Sequence, residues 1–149
     1  MAHTNKGLAL IQLHIEQNAF VKALGMTLKI HDEGVVSYSL TINSNHLATP
    51  GFVHGGVLTT LLDATMGAGA LTLVADNGQV VSTIEMQTNF ISSGRIDDEL
   101  IATSKLVRKG KKVIFMQAEI RNYQNQLIAI ANGSFYPFNA ETAGYKYSF

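Results

Sequence analysis

Residues 54–75 read HGGVLTTLLDATMGAGALTLVA, and apart from His54 the only formal charge in this run of 22 is Asp63. A buried carboxylate with no partner is costly, so a chain that keeps one has either a partner or a use for it. Asp63 lies too far along the run to cap a helix, and Asp is a poor former in mid-helix. Thr59 and Thr60, at i−4 and i−3, are placed to satisfy it. An acid in so apolar a setting is equally a candidate general base or nucleophile. The entrance to the run, Pro50-Gly51-Phe52-Val53-His54-Gly55-Gly56, offers a second feature. A helix N-terminus presents free N–H groups and the positive end of the dipole, and glycines let a ligand approach the backbone. That would suit a carbonyl oxygen becoming an oxyanion. Gly55 and Gly56 are also what a helix start needs to pack tightly on a strand.

The spacing of the two features constrains any reaction. Gly55 and Asp63 are eight residues apart, about 12 Å along a helix, whereas reacting groups must come within about 3 Å. Either they are unrelated, or the Asp63 that acts on a substrate held at Gly55 belongs to another copy of the chain. Two such helices, antiparallel across a two-fold axis, would place each helix start near the partner's acid.

Composition fits that second reading. Charged residues make up 15% of the 149 and hydrophobic ones 46%, against roughly 25% charged in typical soluble proteins. More apolar surface is implied than one small domain can hide, and an oligomer is the simplest way to hide it. Eleven basic and eleven acidic residues cancel, which argues against a general nucleic-acid or membrane-surface binder. The absence of cysteine excludes disulfides and thiolate chemistry. The first residues, MAHTNKGLALIQLHIEQ, have no secretory-signal pattern, and the expected compartment is the cytoplasm. The run 54–75 is long enough to span a bilayer, yet it holds Asp63, four Thr and four Gly and has no basic flank. It reads better as a buried helix of a soluble protein.

Around this helix the remaining elements can be read in order. Leu10, Leu13, Phe20, Val21 and Leu24 give Leu8–Leu24 the spacing of one amphipathic helix ended by Gly25. MTLKIH and VVSYSLTI, separated by Asp32-Glu33-Gly34, form a hairpin. NSNHLATPGF is a loop. After the apolar helix come four strands: VVSTIEMQTNFI, ELIATSKLVR, KVIFMQAEIRN and QLIAIANGSFY. In the first, Ser82, Ile84, Met86, Thr88 and Phe90 alternate with Thr83, Glu85, Gln87 and Asn89. A helix too apolar for solvent should lie on the antiparallel sheet and be wrapped by it. The expectation is a single α+β domain over residues 1–149. The aromatic tail NAETAGYKYSF either packs on a partner or frays.

HLATPGFVHGG followed by LLDATMGAGA resembles the signature of the hotdog-fold acyl-CoA thioesterases of the phenylacetate-pathway (PaaI) type. In that group a His-Gly-Gly opens the central helix and an Asp follows nine residues after the His, as His54 and Asp63 do. The resemblance extends from the first hairpin to the last strand. It implies a hotdog fold, a long helix wrapped by about six antiparallel strands with an additional N-terminal helix here, paired into homodimers with shared sites and further into a homotetramer. It implies that Gly55 donates its N–H to the thioester carbonyl while His54 fixes the turn. Asp63 of the partner subunit would act as general base or as nucleophile through a mixed anhydride, and Thr83 would orient the attacking water. Gly56 would admit the substrate. One position departs from the pattern: relatives commonly have Asn six residues before the His, where this chain has Ala48, with Asn43 and Asn45 further upstream.

The hairpin Arg108-Lys109-Gly110-Lys111-Lys112 packs four cations into five residues. By itself it reads as a solvated, lysine-protected turn. Beside the resemblance it gains a use, since coenzyme A carries phosphates that need cations. His3, His14, His31 and His46 show no two-ligand spacing, so no metal is expected, and no cofactor. The reading is an acyl-CoA thioesterase; its rival is a binding module for acyl-CoA or acyl carriers that has lost turnover.

Overall fold

The computed structural model describes residues 2–147. Thr4 caps the first helix, α1 (Asn5–Gln17), its side chain accepting from the Gly7 N–H. The single N-terminal helix expected from periodicity is two. Asn18 leaves helical geometry at ψ 78°, and its side chain caps a second short helix, α2 (Ala19–Leu24), by accepting from the Val21 N–H. Asn competes well for such caps and poorly for helix interiors, so the break falls on it. Gly25, at φ 81°, closes α2 in the left-handed conformation that glycine adopts without cost.

The strands follow as β1 (Thr27–Asp32), β2 (Val35–Thr41), β3 (Leu47–Thr49) and β4 (Phe52–Val53) before the central helix α3 (Gly55–Thr72). Beyond it lie β5 (Gln79–Phe90), β6 (Glu99–Lys109), β7 (Ile114–Asn122) and β8 (Leu127–Asn139). Six of these make one sheet in the order β1-β2-β6-β7-β8-β5, every neighbouring pair antiparallel. β3 and β4 form a separate two-stranded ribbon inside the segment expected to be loop.

Helix α3 carries the core. Leu58, Leu61, Leu62 and Met66 fall at i, i+3, i+4 and i+8 and are buried in one cluster with Tyr38, Met116 and Phe135 from the sheet. The sheet curls around this helix, as expected for its apolar length. A second cluster at the far end of α3 joins Leu10 and Ile11 of α1 to Leu71, Ala75 and Val80. As far as Tyr147 the tail packs on its own chain. Tyr145 and Tyr147 pack on this second cluster, and the Tyr145 N–H donates to the Ala140 carbonyl; Ser148 and Phe149 lie outside the described residues.

Strand β5 is an edge of the sheet and exposes apolar side chains. Ile84 is 56% exposed, Phe90 55% and Ile91, just beyond the strand, 53%. Register along β5 shifts once: Thr83 pairs with Phe135 but Glu85 with Ser134, leaving Ile84 as an extra residue. Such a bulge turns the following side chains by one position. The strict alternation expected for this strand therefore holds from Met86 to Phe90 and fails before Ile84.

Where β2 leaves the ladder with β6, a buried serine replaces it. The pairing begins at Ser37 and Thr103, and Ser104 Oγ accepts from the Val36 N–H (3.0 Å) and donates to the Gly34 carbonyl (2.9 Å). Ser104→Ala should strand both buried backbone groups and cost about 1–3 kcal/mol, read as a lowered urea midpoint at unchanged slope.

Candidate active site

The start of α3 is held from three sides. The His54 N–H donates to the His46 carbonyl (2.8 Å), the Val57 N–H to the His54 carbonyl (2.9 Å), and the Gly56 N–H to His54 Nδ1 (2.8 Å). His54 is thus the N-cap in side chain as well as backbone, with φ −69° and ψ 133°. Among the described residues these contacts leave the Gly55 N–H without an acceptor, so it is the amide of the first turn that an outside oxygen can take. The Phe90 ring of β5 lies over it, 3.4 Å from where a Cβ on Gly55 would stand. The two glycines differ in what they permit. A Cβ on Gly55 would make ordinary contact, whereas one on Gly56 would come within 2.9 Å of His54 Nδ1 and displace the cap.

Asp63 lies two turns further along α3, half-buried. Its partner is not one of the threonines on its own helix, for Thr60 Oγ1 donates to the Gly56 carbonyl (2.9 Å). The partner is Thr83 of β5, whose hydroxyl donates to Asp63 Oδ1 at 2.7 Å. The β5 bulge makes this compatible with the helix start. By turning the strand once between residues 83 and 85, it aims both Thr83 and Phe90 at α3, although one number is odd and the other even. Asp63 opens onto two hollows. One, of about 290 Å³, runs back to His14 and Tyr145; the other, of about 400 Å³, is bounded by Asn18, Phe20, Thr59 and Met86. At the end of the first, His14 Nδ1 and the Tyr145 hydroxyl lie 2.9 Å apart. Burial lowers the His14 pKa and raises that of Tyr145, so the pair is neutral at pH 7.

Within one chain Gly55 and Asp63 do not meet, being eight residues apart on one straight helix. The basic hairpin is further still from Gly55. Lys109 Nζ donates to the carbonyl of Leu73 (2.6 Å), the residue that ends α3, which places a cation on the negative end of the helix dipole. Arg108, Lys111 and Lys112 are exposed beside it. A different cation lies by Phe52, three residues before Gly55. Arg95, in the loop after β5, holds its guanidinium 5.3 Å from the centre of the Phe52 ring, next to the helix entrance, and its backbone N–H is fixed by Asp98 Oδ2 (2.8 Å). Sequence reasoning passed over it because one arginine in a turn carries no spacing signal. Upstream, Asn43 takes no part in the site. Its side chain accepts from the Asn45 N–H (2.9 Å) and its own N–H donates to His46 Nδ1 (3.1 Å), while His46 Nε2 reaches the Leu24 carbonyl (3.0 Å). Both ring nitrogens of His46 are thereby committed to holding the loop, and Ala48 stands exposed on β3.

Residues 50–129, which take in β4, α3 and the strands through the start of β8, match the model of the thioesterase superfamily. This chain belongs to that superfamily. Its reaction class, hydrolysis of a thioester, follows from the membership. The acyl-coenzyme A thioesterase PaaI of Escherichia coli is 28% identical over 120 residues, covering 79% of this chain and 81% of its own. The solved structure of the E. coli PaaI protein superposes with a TM-score of 0.82 at 24% identity, over 93% of this chain and 97% of that one. A hypothetical thioesterase from Streptococcus pneumoniae, solved with coenzyme A, gives 0.71 at 21% identity over 86% and 95%. These likenesses establish the hotdog fold. Among the described residues, no helix is long and apolar enough to cross a membrane.

The helix start generates a stability test for the superfamily member. His54→Ala and Gly56→Ala should each cost about 1 kcal/mol, the worth of a lost side-chain cap. Because both remove the same contact, the double variant should cost clearly less than their sum in denaturant unfolding.

Proposed function

We propose that this thioesterase hydrolyses acyl-CoA at a site shared between two copies of the chain. The observation that carries the reading is the free Gly55 N–H on the same helix as the Thr83-bonded Asp63, too far apart to serve one carbonyl. The exposed apolar edge of β5 supports the pairing: a second β5 laid antiparallel along it would hide Ile84 and bring the two copies of α3 side by side in opposite directions. A further pairing into a tetramer would account for more of the exposed apolar surface. The PaaI relative and the coenzyme A found in the pneumococcal structure support CoA as the carrier.

In this mechanism the thioester oxygen accepts from the Gly55 N–H, at the positive end of α3, and gains negative charge as water attacks the carbonyl carbon. Asp63 of the partner subunit takes a proton from that water. The Thr83 hydroxyl donates a hydrogen bond to Asp63 Oδ1, which fixes the carboxylate's orientation and leaves the hydroxyl lone pairs to accept from the water. The tetrahedral intermediate then collapses, the C–S bond breaks, and CoA leaves as a thiolate that takes the proton held by Asp63. His54 acts one step away by holding the turn through Gly56. No step calls for a metal.

Two substitutions separate the roles. Asp63→Asn should lower kcat by about a hundredfold or more, the usual share of a general base. Gly55→Pro removes the N–H at the first helical position, where proline is tolerated and the preceding residue is already extended; it should fold and lose about 10²–10³ in kcat. Refolded together as an equal mixture, the two inactive variants should recover roughly a quarter of wild-type activity, since half the dimers are mixed and each has one intact site of two. No recovery would overturn the shared site, and full activity of Asp63→Asn would overturn the mechanism. For the CoA end, Arg95→Ala should raise KM roughly five- to tenfold with kcat kept, as loss of one charge-assisted phosphate contact would, and Lys111→Ala should show whether the distant hairpin shares that role.

A further inference from the structure

At the opposite end of α3 from Gly55, three segments bring together His3, Glu33 and Asp76, with one donor atom of each lying within 4.8 Å of the others. His3 precedes α1, Glu33 sits in the turn between β1 and β2, and Asp76 lies in the 3-10 turn after α3. The His3 side chain is only 11% exposed, and its Nδ1 is buried with no hydrogen bond. That nitrogen stands 3.5 Å from Asp76 Oδ2, long for a hydrogen bond. It is close to the separation of about 3.4 Å that two donors have when both bind one tetrahedral ion at roughly 2.0–2.1 Å.

The second oxygen of Asp76 is already occupied. Oδ1 accepts from both the N–H and the hydroxyl of Thr4, each at 2.9 Å, and the Gly7 N–H donates to that same hydroxyl (3.1 Å). Gly7 makes room for this seat: a Cβ there would come within 1.9 Å of Asp76 Oδ1. The carboxylate is thus held from behind with Oδ2 turned towards His3, as outer partners orient metal ligands. The turn bearing Glu33 is fixed as well, because the Gly34 N–H donates to Thr72 Oγ1 (2.8 Å) and the Gly34 carbonyl accepts from Ser104.

We propose that His3, Glu33 and Asp76 form a binding site for a divalent transition ion, zinc in the first instance, with water completing the coordination. One imidazole and two carboxylates suit zinc or manganese better than calcium, which takes oxygen ligands, or copper(I), which takes sulfur. The ion lies away from Gly55 and Asp63, so its role is to tie the start of the chain to the end of α3 and to the β1–β2 turn.

The test uses the full chain with any affinity tag removed, stripped with a chelator and titrated calorimetrically with Zn²⁺ alone. One ion per chain should bind, and His3→Ala and Glu33→Gln should each weaken binding at least about tenfold while keeping the wild-type circular dichroism and thioester hydrolysis. Zn²⁺ should also raise the melting temperature of the wild type, and of neither variant to the same degree. Absence of stoichiometric uptake by the wild type would overturn the proposal. So would uptake that both variants retain, or Ca²⁺ binding as tight as Zn²⁺, because the histidine would then not be a ligand.

Discussion

Burying one face of α3 against the sheet sets the positions of both Asp63 and Gly55. The stripe Leu58–Leu61–Leu62–Met66 must face the sheet, and once it does, the rotation of the helix leaves no freedom for residues between. Asp63 follows Leu62 by 100° of helical turn and arrives at the rim of the sheet, half in the core and half open, opposite β5. The same rotation fixes Gly55 under Phe90. Neither placement needs a dedicated loop, and both are as rigid as the core that enforces them. A site built on packed elements keeps its geometry better than one built on loops.

Strand β5 then has to meet two different demands, at Thr83 and at Phe90, from positions of opposite parity. A regular strand cannot do this, because alternation would send one of the two side chains away from α3. The extra residue Ile84 resolves the conflict, and its own side chain is left on the solvent side of an edge strand. The bulge and the exposed apolar edge are therefore one feature. What aims Thr83 at the carboxylate also supplies apolar surface along the edge where the second copy is proposed to pair.

Much of this was legible in the sequence, for identifiable reasons. The apolar run with a lone carboxylate, the glycine pair after His54 and the hairpins at Gly34, Gly110 and Asn125 are local signals, and they placed α3 and the six main strands. The break at Asn18 was missed because the apolar spacing runs through it unchanged while the decision rests on a side-chain cap. The ribbon of β3 and β4 was missed because it is short and its pairing depends on the neighbouring His46 and Gly94 carbonyls. Helical spacing points to i−3 and i−4 for the acid's partner, whereas the partner is Thr83, twenty positions away on β5. Lys109 reads in sequence as a solvated turn or a phosphate contact, and only the end of α3 in three dimensions shows the carbonyl that it reaches.

The same contrast between local and assembled signals separates the two ends of α3. Spacing along the chain reveals histidine ligands only where two of them share one helix. His3, Glu33 and Asp76 share no element, and what unites them is that each precedes or follows a segment anchored to the far end of α3: α1 through Leu10 and Leu71, the β1–β2 turn through Thr72, the 3-10 turn by direct continuation. A helix that organises a core must end somewhere, and its last turn leaves carbonyls unpaired. Here those ends are met by Lys109 on one side and by Thr72 turning its hydroxyl to Gly69 and Gly34 on the other. The crowding needed to satisfy that helix end is what draws three distant donors into one place. The start of α3 works by the opposite rule, leaving one amide, that of Gly55, without a partner among the described residues.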